Sequence, residues 1–243
     1  MDILKVITNE LGVKLSQVEA AVKLIDEGNT IPFIARYRKE LTGSCDDQTL
    51  RAFSDRLNYL RNLNKRREEV FNLINEQGNM TDEIKKALDE ANTITEIDDI
   101  YRPFRPKRKT RASVAIARGL QPLADFILAQ SGEMIEKEAE KYLTEEVVSI
   151  ADAIQGASDI VAEMISDDAE IRKSLRNYLV HRGDIECELQ EGEEAYVYQM
   201  YDNYKSPIKT LPSHRVLAIN RGEKEKILSV KITAPEDKIL LYS

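Results

Sequence analysis

The run from about Asp47 to Gln77 contains neither glycine nor proline, and it sets Leu50, Phe53, Leu57, Leu60, Phe71 and Ile74 at heptad-like steps of three and four. That spacing gathers apolar side chains on one face of an α-helix. A helix over this run would be roughly 45 Å long at ~1.5 Å per residue. Shorter elements must then arrange themselves along it. Asn64 and Arg67 interrupt the seam, so the run predicts a spine that carries neighbours, not a long coiled coil. Asp46 or Asp47 suits its N-cap, and Gly78 stops it.

Helical patterning continues on both sides. Val18, Ala21, Val22 and Ile25 mark one face of a helix that Gly28 closes, and Thr30 with Pro32 starts a short helix through Ile34 and Tyr37. Thr42-Gly43-Ser44 is a break. Thr81 caps a helix carrying Ile84, Ala87, Leu88 and Ala91, and Thr93 with Glu96 reads as a capping box for a helix to Tyr101. Pro122 suits the first turn of Leu123–Ala129, and further helices are expected over 133–144, 147–166 and 168–181. Gly156 weakens the middle one of these three.

After Gly183 the pattern changes. Ile185–Leu189 alternates as a half-exposed strand does, and an aromatic cluster follows over Tyr196–Tyr204. Val216–Ile219 and Ile227–Ile232 read as strands joined around Arg221-Gly222, although Ser213 would equally cap a helix through Asn220. Ile239–Tyr242 reads as a last strand. The expected fold is mainly α: a multi-helix assembly on a long spine with minor β near the C-terminus. Its parts are expected at 1–111, 112–182 and 183–243.

A formal charge of −8 conceals a segregation. Residues 30–118 hold 18 Lys/Arg against 14 Asp/Glu, whereas residues 119–204 hold 6 against 20. The sharpest departure is Tyr101–Arg111, where Arg102, Arg105, Lys107, Arg108, Lys109 and Arg111 occur with no acidic residue and with Pro103 and Pro106. Such cations neutralise phosphates and release counterions. Tyr101 and Phe104 are the expected stacking residues for unpaired bases. Arg36, Arg38 and Lys39 form a second basic group, beside Phe33, Ile34 and Tyr37, which read as core. The competing reading is a surface loop whose cations pair with the acidic helices.

Other chemistry is not indicated. Every glycine is isolated, so no phosphate-cradling loop is formed. The two histidines, His181 and His214, and the two cysteines, Cys45 and Cys187, lie far apart, which suggests neither a zinc site nor a disulfide framework. The pairs Asp46-Asp47, Asp98-Asp99 and Asp167-Asp168 sit at expected helix starts, where they complement the helix dipole. No catalytic residue, metal site or cofactor is expected. The absence of a long apolar run suggests no membrane partner, and the sparse cysteines suit the cytoplasm.

Ile31–Ser44 (Ile-Pro-Phe-Ile-Ala-Arg-Tyr-Arg-Lys-Glu-Leu-Thr-Gly-Ser) and Ile97–Arg111 closely resemble signature segments of the bacterial Tex family of transcription accessory proteins. Pro212-Ser213-His214-Arg215 followed by Arg221-Gly222-Glu223 is similar to a third family segment. The resemblance runs from near residue 1 to about residue 232. Cys45 departs from the usual aliphatic residue, and Phe104 from a common tyrosine, which removes a hydroxyl. The resemblance implies a longer parent protein with an RNase H-like domain, a helix-hairpin-helix region and a C-terminal OB-fold RNA-binding domain, none of them within this sequence. This chain would be the N-terminal helical region, including a helix-turn-helix-like part. The implied role is non-enzymatic contact with RNA or single-stranded DNA in transcription or RNA handling. The alternative is a scaffold whose acidic half docks RNA polymerase, ribosomal proteins or the remaining domains of the parent.

Overall fold

The computed structural model describes residues 2–43, 45–106, 109–130, 134–190, 195–235 and 239. The chain is mainly α-helical and divides into two compact units, residues 1–104 and 105–243.

The first unit is built along the expected spine. Helices α1 (Ile3–Leu11), α2 (Leu15–Asp26) and α3 (Ile31–Tyr37) precede the 30-residue α4 (Asp47–Glu76), and α5 (Asp82–Glu90) and α6 (Ile94–Tyr101) follow it. All five pack on α4. Asp46 caps α4 by accepting from the Thr49 N–H at 2.7 Å. The seam of α4 is Leu50, Phe53, Leu57, Leu60, Leu63, Arg67, Val70 and Ile74, all buried, with Phe71 only partly so. Ile7, Val18, Ala21, Leu24, Ile34, Leu88 and Ile97 come from the other helices to meet it. The expected capping box starts α6: the Thr93 hydroxyl accepts from the Glu96 N–H, and the Glu96 carboxylate accepts from the Thr93 N–H.

Ion pairs fix the docking. Arg56 of α4 forks onto Glu10 of α1, Arg61 onto Asp26 of α2, and both Nε and Nη2 of Arg66 reach Oδ1 of Asp98 in α6. Arg67, an expected interruption of the seam, is buried instead. Its guanidinium donates to the Leu88 and Ala91 carbonyls at 2.7 Å each and to Asn64 at 2.6 Å. It thereby satisfies the C-terminal carbonyls of α5, which no helical N–H reaches.

The second unit has two cores. In the first, α7 (Arg111–Ala117), α8 (Gln121–Ala129) and α9 (Ile135–Ala139) pack with α10 (Ile150–Asp167) around alanine-rich contacts: Ala112, Ala115, Ala124, Ala153 and Ala157, with Leu120, Leu123 and Ile160. Gly156, which weakened the sequence reading of α10, is what lets the helices approach. A Cβ there would lie 2.5 Å from Leu120 Cδ1 and 3.3 Å from Ala115 Cβ.

Helix α11 (Ala169–Arg182) leads to the second core. Three antiparallel strands, β1 (Asp184–Leu189), β2 (Tyr204–Pro207) and β3 (Leu228–Thr233), lie in the order β2-β1-β3, with Cys187 opposite Tyr204 and Val230. The sheet packs with α12 (Ser213–Lys224) and a 3-10 segment, Ala195–Tyr201. Of the two readings left open for Val216–Ile219, the strand is corrected and the helix from Ser213 holds. Val216–Ile219 lies in α12, not in a strand, because a helix buries Ile219 together with Gly222 against Leu228 and Tyr198. The expected Ile239–Tyr242 strand lies almost wholly outside the described residues. Among the described residues no single helix is long and apolar enough to cross a membrane.

Candidate nucleic-acid interface

The two expected basic groups occupy different places. The first ends α3, whose seven residues bury only Ile34 and Ala35. At about 100° per residue, positions 31, 34 and 35 share the inner face, while 33 and 37 fall together on the outer one. Phe33 and Tyr37 are therefore not core, contrary to the sequence reading. Tyr37 is 65% exposed and Phe33 is 36% exposed. Their ring centroids are 5.2 Å apart, tilted by 44°. The Arg38 guanidinium lies 5.4 Å from the Phe33 centroid and donates to the Tyr37 carbonyl.

The turn after α3 is anchored firmly. The N–H groups of Leu41 and Thr42 and the Thr42 hydroxyl all donate to the Arg38 carbonyl. Thr42 is fully buried and lines a small cavity with Thr49, Leu50 and Phe53 at the start of α4. Gly43 has φ +66°, and the Gln17 side chain occupies the place a Cβ would take.

Arg36, Arg38 and Lys39 are exposed on this anchored turn. Four arginines of α4 hold carboxylates: Arg51, Arg56, Arg61 and Arg66. Among the described residues, no carboxylate pairs with Arg36, Arg38 or Lys39. Their place near the carbonyl end of α3 suits the helix dipole. The dipole does not account for the exposed aromatic rings between them.

The second group straddles the boundary of the two units. In the first unit, Tyr101 is 7% exposed, packed in the core with the Arg66 guanidinium 5.8 Å from its ring centroid. As placed, it offers no ring to a base, which corrects its expected stacking role. Arg102 and Phe104 are half-buried in a 3-10 turn, Arg102–Phe104, whose last carbonyl accepts from Gln77 at the C-terminal end of α4. In the second unit, Arg105, Lys109 and Arg111 are exposed. Thr110 caps α7 by accepting from the Ser113 N–H at 3.0 Å. Lys107 and Arg108 lie outside the described residues.

Within the first unit the structure keeps the two groups apart. The turn after α3 meets the first turns of α4 through Thr42, whereas Phe104 meets Gln77, the C-cap of α4, and Tyr101 lies against Arg66 farther back. About 40 Å of helix separates those ends at ~1.5 Å per residue. No group of three or more His, Cys, Asp or Glu side chains suited to a metal occurs among the described residues. Of the paired aspartates, Asp46 and Asp168 cap α4 and α11; Asp98-Asp99 lies in the second half of α6 and not at a helix start, and Asp98 holds Arg66.

The missed features are Phe33 and Tyr37. Their i, i+4 spacing, with both rings about 160° from Ala35 on the helical wheel, was the available signal.

Comparison with known proteins agrees with this architecture. A family model described as the Tex-like protein N-terminal domain matches residues 1–75, and one described as Tex central region-like matches residues 131–240. The uncharacterized protein YdcI of Bacillus subtilis is 44% identical over 242 residues, covering 97% of this chain and 34% of that protein. The transcriptional accessory protein Tex of Neisseria gonorrhoeae is 38% identical over 239 residues, covering 98% of this chain and 32% of its own length. The human S1 RNA-binding domain-containing protein 1 is 27% identical over 240 residues, covering 95% of this chain and 24% of its own length. The chain thus spans about a third of the length of the bacterial relatives it matches. With both models falling in order along it, this chain belongs to the Tex family and carries the family's N-terminal domain and central region.

Proposed function

We propose that this chain is a non-enzymatic module of a transcription accessory protein and contributes a cationic surface for single-stranded nucleic acid. The observation that carries the reading is the contrast within the first unit. Arginines along α4 are spent on carboxylates that dock α1, α2 and α6, while Arg36, Arg38 and Lys39 face solvent with no such partner among the described residues. Arg102, Arg105, Lys109 and Arg111, with Lys107 and Arg108 of the same sequence run, form an auxiliary contact. Arg111 starts α7, where a cation opposes the helix dipole, so helix stability does not account for it. The names of relatives, a transcriptional accessory protein and an S1 RNA-binding domain-containing protein, favour the same context. The test is anisotropy of a labelled 16-mer RNA and its DNA counterpart at low ionic strength. Binding that weakens steeply with salt is expected; no binding to either strand refutes the reading.

A scaffold role is the second reading. It is favoured by Val148, 78% exposed, and Leu143, 43% exposed, which flank Glu145 and Glu146 in the acidic half. Charge reversal of Glu145 and Glu146 that abolishes capture of RNA polymerase, while leaving strand binding intact, would favour it.

A further inference from the structure

We infer that Tyr37, braced by Phe33 and Arg38, is a stacking platform for an unpaired base, so that the end of α3 selects single strands over duplexes. This rests on the nucleic-acid reading above and adds the ring that reads the strand.

The geometry argues for a platform. An aromatic side chain exposed as far as Tyr37 contributes little to the core of its own unit, and here it is neither isolated nor loosely held. Phe33 lies one helical turn before it with ring centroids 5.2 Å apart, and Arg38 covers Phe33 at 5.4 Å. The Arg38 side chain is itself tied to the Tyr37 carbonyl. The backbone beneath is fixed by three hydrogen bonds to the Arg38 carbonyl and by buried Thr42. A braced ring loses little freedom when a base settles on it.

The charge around the ring names the ligand. Between Thr30 and Cys45 the cations are Arg36, Arg38 and Lys39, and the acidic residue is Glu40 alone. A flat ring flanked by cations suits a base with phosphates on either side. A duplex offers the phosphates but keeps its bases stacked inside. An acidic peptide would use the charges without needing the ring.

The chain has no tryptophan, so Tyr37→Trp creates a single reporter at the platform. Titration with oligo(U) and oligo(dT) 12-mers should quench its fluorescence. An abasic 12-mer with the same phosphates, or a duplex, should quench it far less. Separately, Tyr37→Ala should weaken binding of the base-bearing strands by about tenfold or more and leave affinity for the abasic strand unchanged. Arg36→Glu with Arg38→Glu and Lys39→Glu should weaken both. Because Tyr37 lies outside the core, an unchanged circular-dichroism spectrum is expected for each Tyr37 variant. If strands bind with salt-dependent affinity, yet Tyr37→Ala changes nothing and the tryptophan is not quenched, the platform is wrong and the nucleic-acid reading stands. If no strand binds the wild-type chain at low salt, both fall. An acidic peptide that quenches the tryptophan more strongly than oligo(U) also overturns the platform.

Discussion

Arg67 shows how one residue can look like a defect and act as a joint. In the sequence it breaks an apolar seam. In the fold, its position on that seam points the guanidinium at the open carbonyls of α5, with Asn64 one turn earlier taking a third donor. Arg67→Met would keep the bulk and leave two buried carbonyls without donors, at about 1–3 kcal/mol each. The expected loss is about 2–4 kcal/mol in urea unfolding, and a loss under ~0.5 kcal/mol would refute the joint. Gly43 is a second such position. Its φ of +66° and the Gln17 side chain beside it leave no place for a Cβ, so Gly43→Ala should cost about 1–2 kcal/mol by the same measurement. Tyr37 was only partly legible: a helical wheel of Ile31–Tyr37 sets it about 160° from Ala35 but only about 60° from Ile34. Its apolar neighbours drew it into the core on the sequence reading. The burial of Tyr101 was not legible, since it depends on α6 lying along α4 and on Arg66 turning onto its ring.

At the level of elements, caps and breaks carried most of the information. Asp46, Thr81 and Thr93 each start a helix where local chemistry says one should, and the steps of three and four from Leu50 to Leu60 gave the spine. The sequence reading did not mark helices α1 and α7, the second hidden behind its basic approach. Strand and helix both stayed open for Val216–Ile219, and the helix holds; α12 buries little, only Ile219 and Gly222, so its helical stripe is faint. The docking of α1 and α2 on α4 makes an acid-sensitivity prediction. Hydrogen bonds from Arg56 and Arg61 hold the Glu10 and Asp26 carboxyls below their ordinary range. A carboxylate with a lowered pKa contributes its full stability above the unfolded value and loses it as pH falls through the folded one. These pairs should therefore leave the urea midpoint flat between pH 7 and 5 and weaken the fold below about pH 4. Both pairs are partly exposed, so each is worth about 0.5–1 kcal/mol after screening. Arg56→Gln with Arg61→Gln should make the acid-side fall shallower; an unchanged fall would show that the pairs contribute nothing.

For the molecule as a whole, charge is distributed by use. Along the spine of the first unit, Arg56, Arg61 and Arg66 are committed to holding helices together, and the end of α3 gathers three solvent-facing cations within four residues, where Lys14, Lys23, Lys65 and Lys85 face solvent singly. The basic run that stood out in the sequence proves to be two things: a part folded into the first unit through Tyr101 and Phe104, and exposed cations that belong to the second. The central claim is that Arg36, Arg38 and Lys39 carry strand binding and that the later run assists. The direct measurement is the slope of log affinity against log salt for a 16-mer RNA. It compares the wild-type chain with two variants, one reversing Arg36, Arg38 and Lys39, the other reversing Arg105, Lys109 and Arg111. Each phosphate contact removed should lower the slope by roughly 0.7. The account predicts a fall of about 2 for the first variant and a smaller fall for the second. An unchanged slope in the first variant, with the whole effect in the second, would contradict it.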